Sequence, residues 1–133
     1  MNFKRREIIH QDVDKELTID NQNLNEELMD QPLYFKKWTT LLSEVRRKAK
    51  VLRFNLEEKE AELYVKLSND GTGRKVKELE SAVTLDPDVK TLKRELVEAE
   101  EIVDKFEGIV KAFYQRHEML KDLCANRRRE LVD

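Results

Sequence analysis

The sequence predicts an all-α fold class, in which short N-terminal helices precede a long antiparallel helical hairpin. Only three Gly and two Pro occur in 133 residues, so few turns are available. Charged residues make up 41% of the chain and hydrophobic residues 39%, a balance typical of long helices and coiled coils. Apolar residues recur every three or four positions, which disfavours disorder. The length suits a single domain over residues 1–133.

Short helices are predicted within residues 1–30. Residues 4–16 have the spacing of one amphipathic helix, and residues 20–29 of a second that begins at the N-cap candidate Asp20. Trp38, in the first turns of the next helix, is expected to pack against these helices. An exposed aromatic patch for a partner is the alternative.

The first long helix is predicted over residues 32–68. Pro32 marks its start, because a proline is accepted in a first turn, where its missing N–H costs nothing. The heptad-like spacing of the apolar stripe is broken once, at Lys59. The stripe consists of Trp38, Leu42, Val45, Ala49, Leu52, Leu56, Leu63 and Leu67.

A loop over residues 69–86, containing a short helix over 75–83, is predicted between the long helices. Gly71 and Gly73 provide its clearest break. These glycines lack the strand–loop–helix setting of a phosphate-binding motif, so a plain turn is the favoured interpretation.

The last helix is predicted over residues 87–131. Asp86 and Pro87 have the pattern of an N-cap followed by proline at the first helical position. Its last turns contain arginines, which interact favourably with the negative end of the helix dipole. The apolar stripe consists of Val89, Leu92, Leu96, Ala99, Val103, Phe106, Val110, Phe113, His117, Leu120 and Cys124.

The two long helices are expected to fold back on each other, with Leu67 near Val89. A second apolar row on the last helix consists of Ile102, Ile109, Met119 and Leu123. A lone two-helix hairpin leaves such a row wet and barely offsets its ordering entropy. The sequence therefore predicts a homo-oligomer. The alternative is a monomeric bundle in which residues 4–29 cover the row.

Catalysis, metals and cofactors have little support in the sequence. His10 and His117 are far apart and lack metal-ligand spacing, and His117 is expected to be a packed or pH-sensitive core residue. Cys124 is the only cysteine, which excludes an internal disulfide and fits a reducing compartment. No stretch approaches the roughly 20 apolar residues of a membrane span. We therefore expect a non-enzymatic cytoplasmic protein without cofactors.

Charge is distributed unevenly although the net charge is only −2. An acidic segment over residues 7–30 precedes a basic segment over 36–53. Arg46, Lys50 and Arg53 fall on one row of the helix at i, i+4 and i+7. Cations along a rigid element, with aromatic surface beside them, are what a single-stranded nucleic acid requires.

Further residues extend this row sideways: Lys36, Arg47 and Phe54. The alternative interpretation is an ordinary charged face whose cations pair in the oligomer with Glu98, Glu100 or Glu107. Repetition of a weak basic patch around an oligomer favours binding of a polymer through avidity.

Two stretches of the sequence have a distinctive pattern. They consist of Ile19-Asp20, Leu24, Glu27, Leu33-Tyr34, Lys37-Trp38 and the segment Val83-Thr84-Leu85-Asp86-Pro87-Asp88-Val89. These residues resemble the T-even phage recombination mediators of the UvsY family. Order, spacing and length agree across about residues 17–125, with one residue inserted near Phe35.

The resemblance implies a protein that binds single-stranded DNA and assembles into a ring-like hexamer or heptamer. Such a mediator helps a RecA-like recombinase displace the single-strand-binding protein during homologous recombination, repair and replication, in the host cytoplasm if phage-encoded. A structural coiled-coil scaffold or tether with no DNA role is the alternative.

The family also has a basic box, Leu-Lys-Ala-Arg-Leu, near the end of the first long helix. The corresponding stretch here runs from Leu63 to Leu67, where only Lys66 keeps a cation and Tyr64 replaces the other. The resemblance therefore implies either that Tyr64 stacks on a base or that DNA contact has moved to the row over residues 46–53.

Overall fold

The computed structural model describes residues 12–132, which fold into helices joined by short connections. Residues 12–17 are helical and are labelled α1. The helices that follow are α2 (Leu24–Ser68), α3 (Val76–Leu85) and α4 (Pro87–Val132). No strand occurs within the described residues, and the predicted all-α fold class is confirmed. Residues 4–11 of the first predicted helix, with His10, lie outside the described range.

Helix α2 begins at Leu24 and continues through Pro32, so the predicted break between a short helix and a helix starting at Pro32 is wrong. A proline inside a helix removes one backbone hydrogen bond and crowds the carbonyl of residue i−4, at a cost of about 3 kcal/mol. Leu24 and Trp38, on either side, are both buried. Their burial favours one continuous helix over two separate ones.

Asp20 organises the turn before α2 instead of capping the helix. Its carboxylate accepts hydrogen bonds from the Gln22 backbone N–H at 3.0 Å and from the Asn23 side-chain amide at 2.8 Å. The carbonyl of Asn23 accepts the first helical hydrogen bond, from Glu27. The cap position therefore falls three residues after the predicted one.

The connection between α2 and α3 is a tight turn, as the sequence predicts. Gly71 and Gly73 have φ angles of 80° and 66°, a region that residues with a Cβ seldom adopt. Hydrogen bonds from the Thr72 side chain and backbone lower the pKa of the Asp70 carboxyl. These bonds fix the turn from within.

The predicted N-cap of α4 is confirmed. The Asp86 carboxylate accepts hydrogen bonds from the backbone N–H groups of Asp88 at 2.9 Å and Val89 at 3.2 Å. Pro87 takes the first helical position, where its lack of an N–H leaves no bond unmade. The local sequence therefore determines where this long helix starts.

The chain divides into two compact units, one formed by residues 1–42 and 105–133 and the other by Ser43–Asp104. Within each unit a stretch of α2 packs antiparallel to a stretch of α4, which confirms the predicted helical hairpin. The prediction of a single domain and that of a ring-like homo-oligomer stay predictions. Among the described residues no helix is sufficiently long and apolar to cross a membrane.

The core of the first unit is aromatic. The Trp38 ring lies 5.9 Å from the Phe106 ring and 6.1 Å from the Phe113 ring, between centroids. Its indole N–H donates to the Glu16 carboxylate of α1 at 2.7 Å. The expected packing of Trp38 against the N-terminal segment is therefore confirmed.

The N-terminal segment also lies beside part of the second apolar row of α4. Leu17 and Ile19 line a groove together with Met119 and Leu123, although Met119 is still 59% exposed. The segment therefore approaches this row without burying it completely, so the alternative of a covering N-terminal segment is met only in part. The homo-oligomer expected from the sequence stays a prediction.

A buried polar network, which the sequence did not predict, links α2 to α4. The Arg116 side chain is 2% exposed and pairs with Glu27. Its guanidinium also donates to Gln31 Oε1 at 2.6 Å, and the Gln31 amide donates to the Phe113 carbonyl at 2.8 Å.

The Arg116 guanidinium also lies 5.4 Å from the centre of the Tyr34 ring. Burial raises the pKa of the Tyr34 hydroxyl, and nearby carboxylates raise it further.

His117 is exposed, so the prediction of a packed core histidine is wrong. The buried stripe runs through Phe113, Arg116 and Leu120, and His117 lies beside it. An ideal helix drifts by about 20° per heptad against a strict seven-residue repeat. Over a helix of this length, that drift moves the seam by one residue.

The core of the second unit is aliphatic. Leu56, Val83 and Val89 are buried together. Several half-buried residues pack around this cluster: Leu63, Tyr64, Leu67, Leu92 and Leu96. The predicted proximity of Leu67 to Val89 is therefore confirmed, and α3 closes one side of this unit through Val83.

Candidate nucleic-acid interface

The three cations of the predicted row line one groove in the second unit. Arg46, Lys50 and Arg53 follow each other along α2, and their side chains border a space of about 410 Å³. Helix α4 forms the opposite wall with Glu100 and Asp104. The helical spacing thus identified a set of side chains that do share one surface.

Acidic side chains partly compensate the groove. The guanidinium of Arg53 donates to the Glu100 carboxylate, and Asp104 lines the groove one turn further along α4. Three cations therefore face two acids. Because the Arg53 and Glu100 side chains are 60% and 44% exposed, water screens their ion pair, which is worth about 0–1 kcal/mol.

Lys50 differs from Arg53 in its surroundings. Lys50 is exposed and has no ion pair within residues 12–132. The alternative interpretation of the sequence placed Glu100 in an ion pair between copies, whereas the pair forms inside one chain. Asp104 was not identified from the sequence, and its position one turn after Glu100 on α4 was the available signal.

The three residues that were expected to extend the row lie elsewhere. Arg47 borders a different groove of about 580 Å³, together with Glu44, Lys48 and Val51. Lys36 belongs to the first unit. Phe54, the expected aromatic neighbour, is exposed on α2 and does not line the groove of Arg46.

The stretch that matches the family box has a mixed environment. Tyr64 is half-buried and packs against the aliphatic core of the second unit, whereas Lys66 is exposed. A ring held in this way offers less surface to a stacking base than a free one does. Tyr64, which replaces a cation of the family box, therefore packs as part of the core of the second unit.

The chemistry available at the groove is ionic. Guanidinium and ammonium groups spaced along a rigid helix can contact successive phosphates without reading bases. Among the described residues, no group of three or more His, Cys, Asp or Glu side chains is placed to hold a metal ion. Binding of a polyanion is the activity that the three groove cations best provide.

Comparison with known proteins gives a result for the fold only. No family model matches the chain, and no curated protein matches it either. Among solved structures, a crystal structure of the bacteriophage T4 recombination mediator protein UvsY has a TM-score of 0.78, with 98% of this chain and 99% of that chain covered. The chain has the UvsY fold.

Two further crystal structures of T4 UvsY agree with this assignment. Their TM-scores are 0.76 and 0.73, covering 98% and 91% of this chain and 98% and 97% of theirs. Sequence identity to the three structures is 18–19%. The UvsY resemblance seen in the sequence is therefore confirmed at the level of the fold, over nearly the whole of both chains.

Proposed function

We propose that this chain is a non-enzymatic recombination mediator that binds single-stranded DNA. In this role it helps load a RecA-like recombinase in place of a single-strand-binding protein. The single observation that carries the proposal is the fold likeness to T4 UvsY, described as a recombination mediator protein, at a TM-score of 0.78. The groove of Arg46, Lys50 and Arg53 gives the proposal a candidate DNA contact.

The spacing of the groove cations suits a polyanion. Arg53 lies seven positions after Arg46, a rise of about 10 Å along the helix. Phosphates of the bound strand would displace Glu100 from Arg53 at little cost, because that ion pair is exposed and weak. At Arg53 a phosphate would therefore replace a carboxylate. Because the phosphates are the same for every base, this contact has no sequence preference.

One groove is a weak site, because three cations face two acids. Copies of the groove in a homo-oligomer, a hexamer or heptamer in our proposal, would bind one strand many times over. The second and later contacts are then intramolecular, and avidity exceeds the affinity of a single groove by orders of magnitude. Assembly is thus part of the proposed mechanism.

DNA contact is assigned to the groove in preference to the Tyr64–Lys66 stretch. Tyr64 packs on the core of its unit, and Lys66 alone is a single point charge. The groove has three cations at regular spacing. The seven residues named from the sequence thus divide into a primary set in the groove and outlying members: Lys36, Arg47, Tyr64 and Lys66.

The affinity for single-stranded DNA should fall steeply with salt. Each neutralised phosphate contributes a slope of about −0.7 to log affinity against log salt. Fluorescence anisotropy of a labelled oligonucleotide between low and high salt measures this slope. We expect a slope steeper than about −2, because three cations line each groove.

A structural coiled-coil scaffold is the competing function, favoured by the pairing of Arg53 with Glu100 inside the chain. Under that function the oligonucleotide does not bind even at low salt, or the slope is close to zero. Either result would rule out the mediator proposal without affecting the fold assignment.

Removing the acids of the groove should strengthen DNA binding. Glu100→Gln with Asp104→Asn removes both acids that line the groove, and each unit charge removed is worth about 1 kcal/mol, or roughly fivefold in affinity. The matched control is Glu95→Gln with Glu98→Gln, since both are exposed acids of α4 that do not line the groove. An equal gain in the control would assign the effect to net charge alone.

A further inference from the structure

A second groove lies in the first unit, between the start of α2 and the end of α4. It consists of two spaces of about 450 and 470 Å³ that share Leu28 as a lining residue. Phe35 and Tyr114 border one end, and Leu24 and Leu131 border the other. We call this surface the terminal groove. Its floor is largely apolar, although the Tyr114 side chain is exposed.

The charged residues of the terminal groove are all basic, and they lie toward the end that Leu131 borders. Lys121, Arg127 and Arg128 line the space at the Leu131 end, and among the described residues no Asp or Glu lines either space. The chain as a whole has a net charge of −2. A groove that is apolar at one end and cationic at the other fits a ridge that is apolar and then acidic.

The chain itself presents such a ridge on α2. Met29 is 73% exposed and Leu33 is 66% exposed, and Glu26 lies one turn before Met29 on the same face. Glu26 forms no ion pair within residues 12–132. The residue after the ridge on this face is Lys36, so the charge along this face of α2 changes from acidic to basic. We call Glu26, Met29 and Leu33 the α2 ridge.

We propose that the α2 ridge of one copy docks in the terminal groove of the next copy. Met29 and Leu33 would cover the apolar end near Phe35 and Tyr114. Glu26 would face the cations at the other end. The occupant is thus a second copy of this chain, since the charges of the two surfaces are complementary and both carry unpartnered apolar side chains.

The relative orientation of the two copies follows from the order of apolar and charged residues along the terminal groove and along the α2 ridge. In the groove the charged end lies toward the start of α2, where Leu24 is found. In the ridge the acidic end also lies toward the start of α2, at Glu26. The surfaces therefore match only when neighbouring copies run parallel. An antiparallel copy would place Glu26 against Phe35 and Tyr114.

The interface joins two different surfaces and is therefore heterologous. Consecutive residues of a helix point about 100° apart, so Leu28 of the groove and Met29 of the ridge lie on adjacent sides of α2. Each copy can then bind one neighbour through its groove and another through its ridge. Repetition of such an interface closes into a ring when the rotation permits.

This inference rests on the proposed function in one respect only: assembly matters there because repeated grooves bind one DNA strand together. It names the surfaces that the oligomer uses, and differs from the α4 row that the sequence favoured. It can be tested with two variants that alter exposed residues only. The ridge variant is Met29→Lys with Leu33→Lys, and the groove variant is Tyr114→Glu with Arg127→Glu and Arg128→Glu.

The experiment is sedimentation of each variant alone and of an equal mixture, with circular dichroism as the check on folding. Each variant alone should sediment as a single chain of 15.9 kDa, because each lacks one of the two surfaces of the interface. The mixture retains one intact groove and one intact ridge, so it should form a 1:1 dimer that cannot grow further. The wild-type chain should form the full assembly.

Other outcomes overturn the inference. If either variant keeps the wild-type size, or if the mixture stays monomeric while both are folded, this groove does not receive this ridge. A monomeric wild-type chain at micromolar concentration would refute it too, and would leave the groove to a different acidic partner. Anisotropy with labelled single-stranded DNA separates the two proposals, since wild-type assembly without DNA binding contradicts only the mediator role.

Discussion

The double variant Arg46→Glu with Lys50→Glu should bind single-stranded DNA far more weakly than the wild-type chain, whereas Lys66→Ala should change the affinity little. Each charged hydrogen bond removed is worth about 1.5 kcal/mol, or roughly tenfold in affinity. Two reversals lower the affinity roughly 100-fold by the same arithmetic. The groove changes from three cations and two acids to one cation and four acids. We therefore expect repulsion of the phosphates in addition to the loss of attraction.

The measurement is anisotropy at low salt, followed by the salt slope. The slope should become shallower by about 0.7 for each phosphate that is no longer neutralised. The matched control is Lys90→Glu with Arg94→Glu, because both are exposed cations of α4 in the same unit and outside the groove. This control has the same net charge as the groove variant and the same i, i+4 spacing.

Three results would discriminate among the hypotheses. An equal loss of affinity in the control would mean that net charge, and not the groove, governs binding. A larger loss in Lys66→Ala would return the DNA contact to the stretch that matches the family box. Loss of affinity in the groove variant alone, with the oligomer intact by sedimentation, would support the assignment of Arg46 and Lys50.

The groove itself illustrates what a single sequence predicts and what it omits. Arg46, Lys50 and Arg53 share a row because helical spacing alone places them there. The opposite wall depends on the register between α2 and α4, which side-chain spacing within one helix does not determine. The alternative interpretation therefore named Glu100 only as one of three acids that would pair in the oligomer, and it did not name Asp104.

The helix boundaries show the same division between local and tertiary information. Asp86 caps α4 as predicted because the cap uses only neighbouring residues. Pro32 was interpreted as a start signal by the same local rule, and the prediction was wrong. Burial of Leu24 and Trp38 on either side favours continuity, and burial depends on α4, which lies far away in the sequence.

Replacement of the buried Arg116 should destabilise the fold strongly. Its buried guanidinium pairs with Glu27, whose side chain is 17% exposed. Removing one partner of a buried ion pair typically costs about 3–5 kcal/mol, because the remaining charge is left without compensation. Glu27 lies in the first turn of α2, where the helix dipole favours a carboxylate. We therefore expect Arg116→Met to lower the free energy of unfolding by about 3 kcal/mol.

The second variant separates the ion pair from simple packing. Replacing both partners with apolar residues of similar size is often neutral for stability, so Arg116→Met with Glu27→Leu should recover most of the loss. Gln31 would still donate to the Phe113 carbonyl. The exposed Arg94→Met is the matched control and should change stability by less than about 0.5 kcal/mol.

Urea denaturation followed by circular dichroism measures these differences, at one fixed protein concentration because assembly stabilises the folded chain by mass action. If Arg116→Met were as stable as the control, the network would contribute nothing to the fold. If the double variant were no more stable than Arg116→Met, the loss would come from packing and not from an unpaired Glu27. The expected order of stability is control, double variant and single variant, because only the single variant leaves a largely buried carboxylate without its cation.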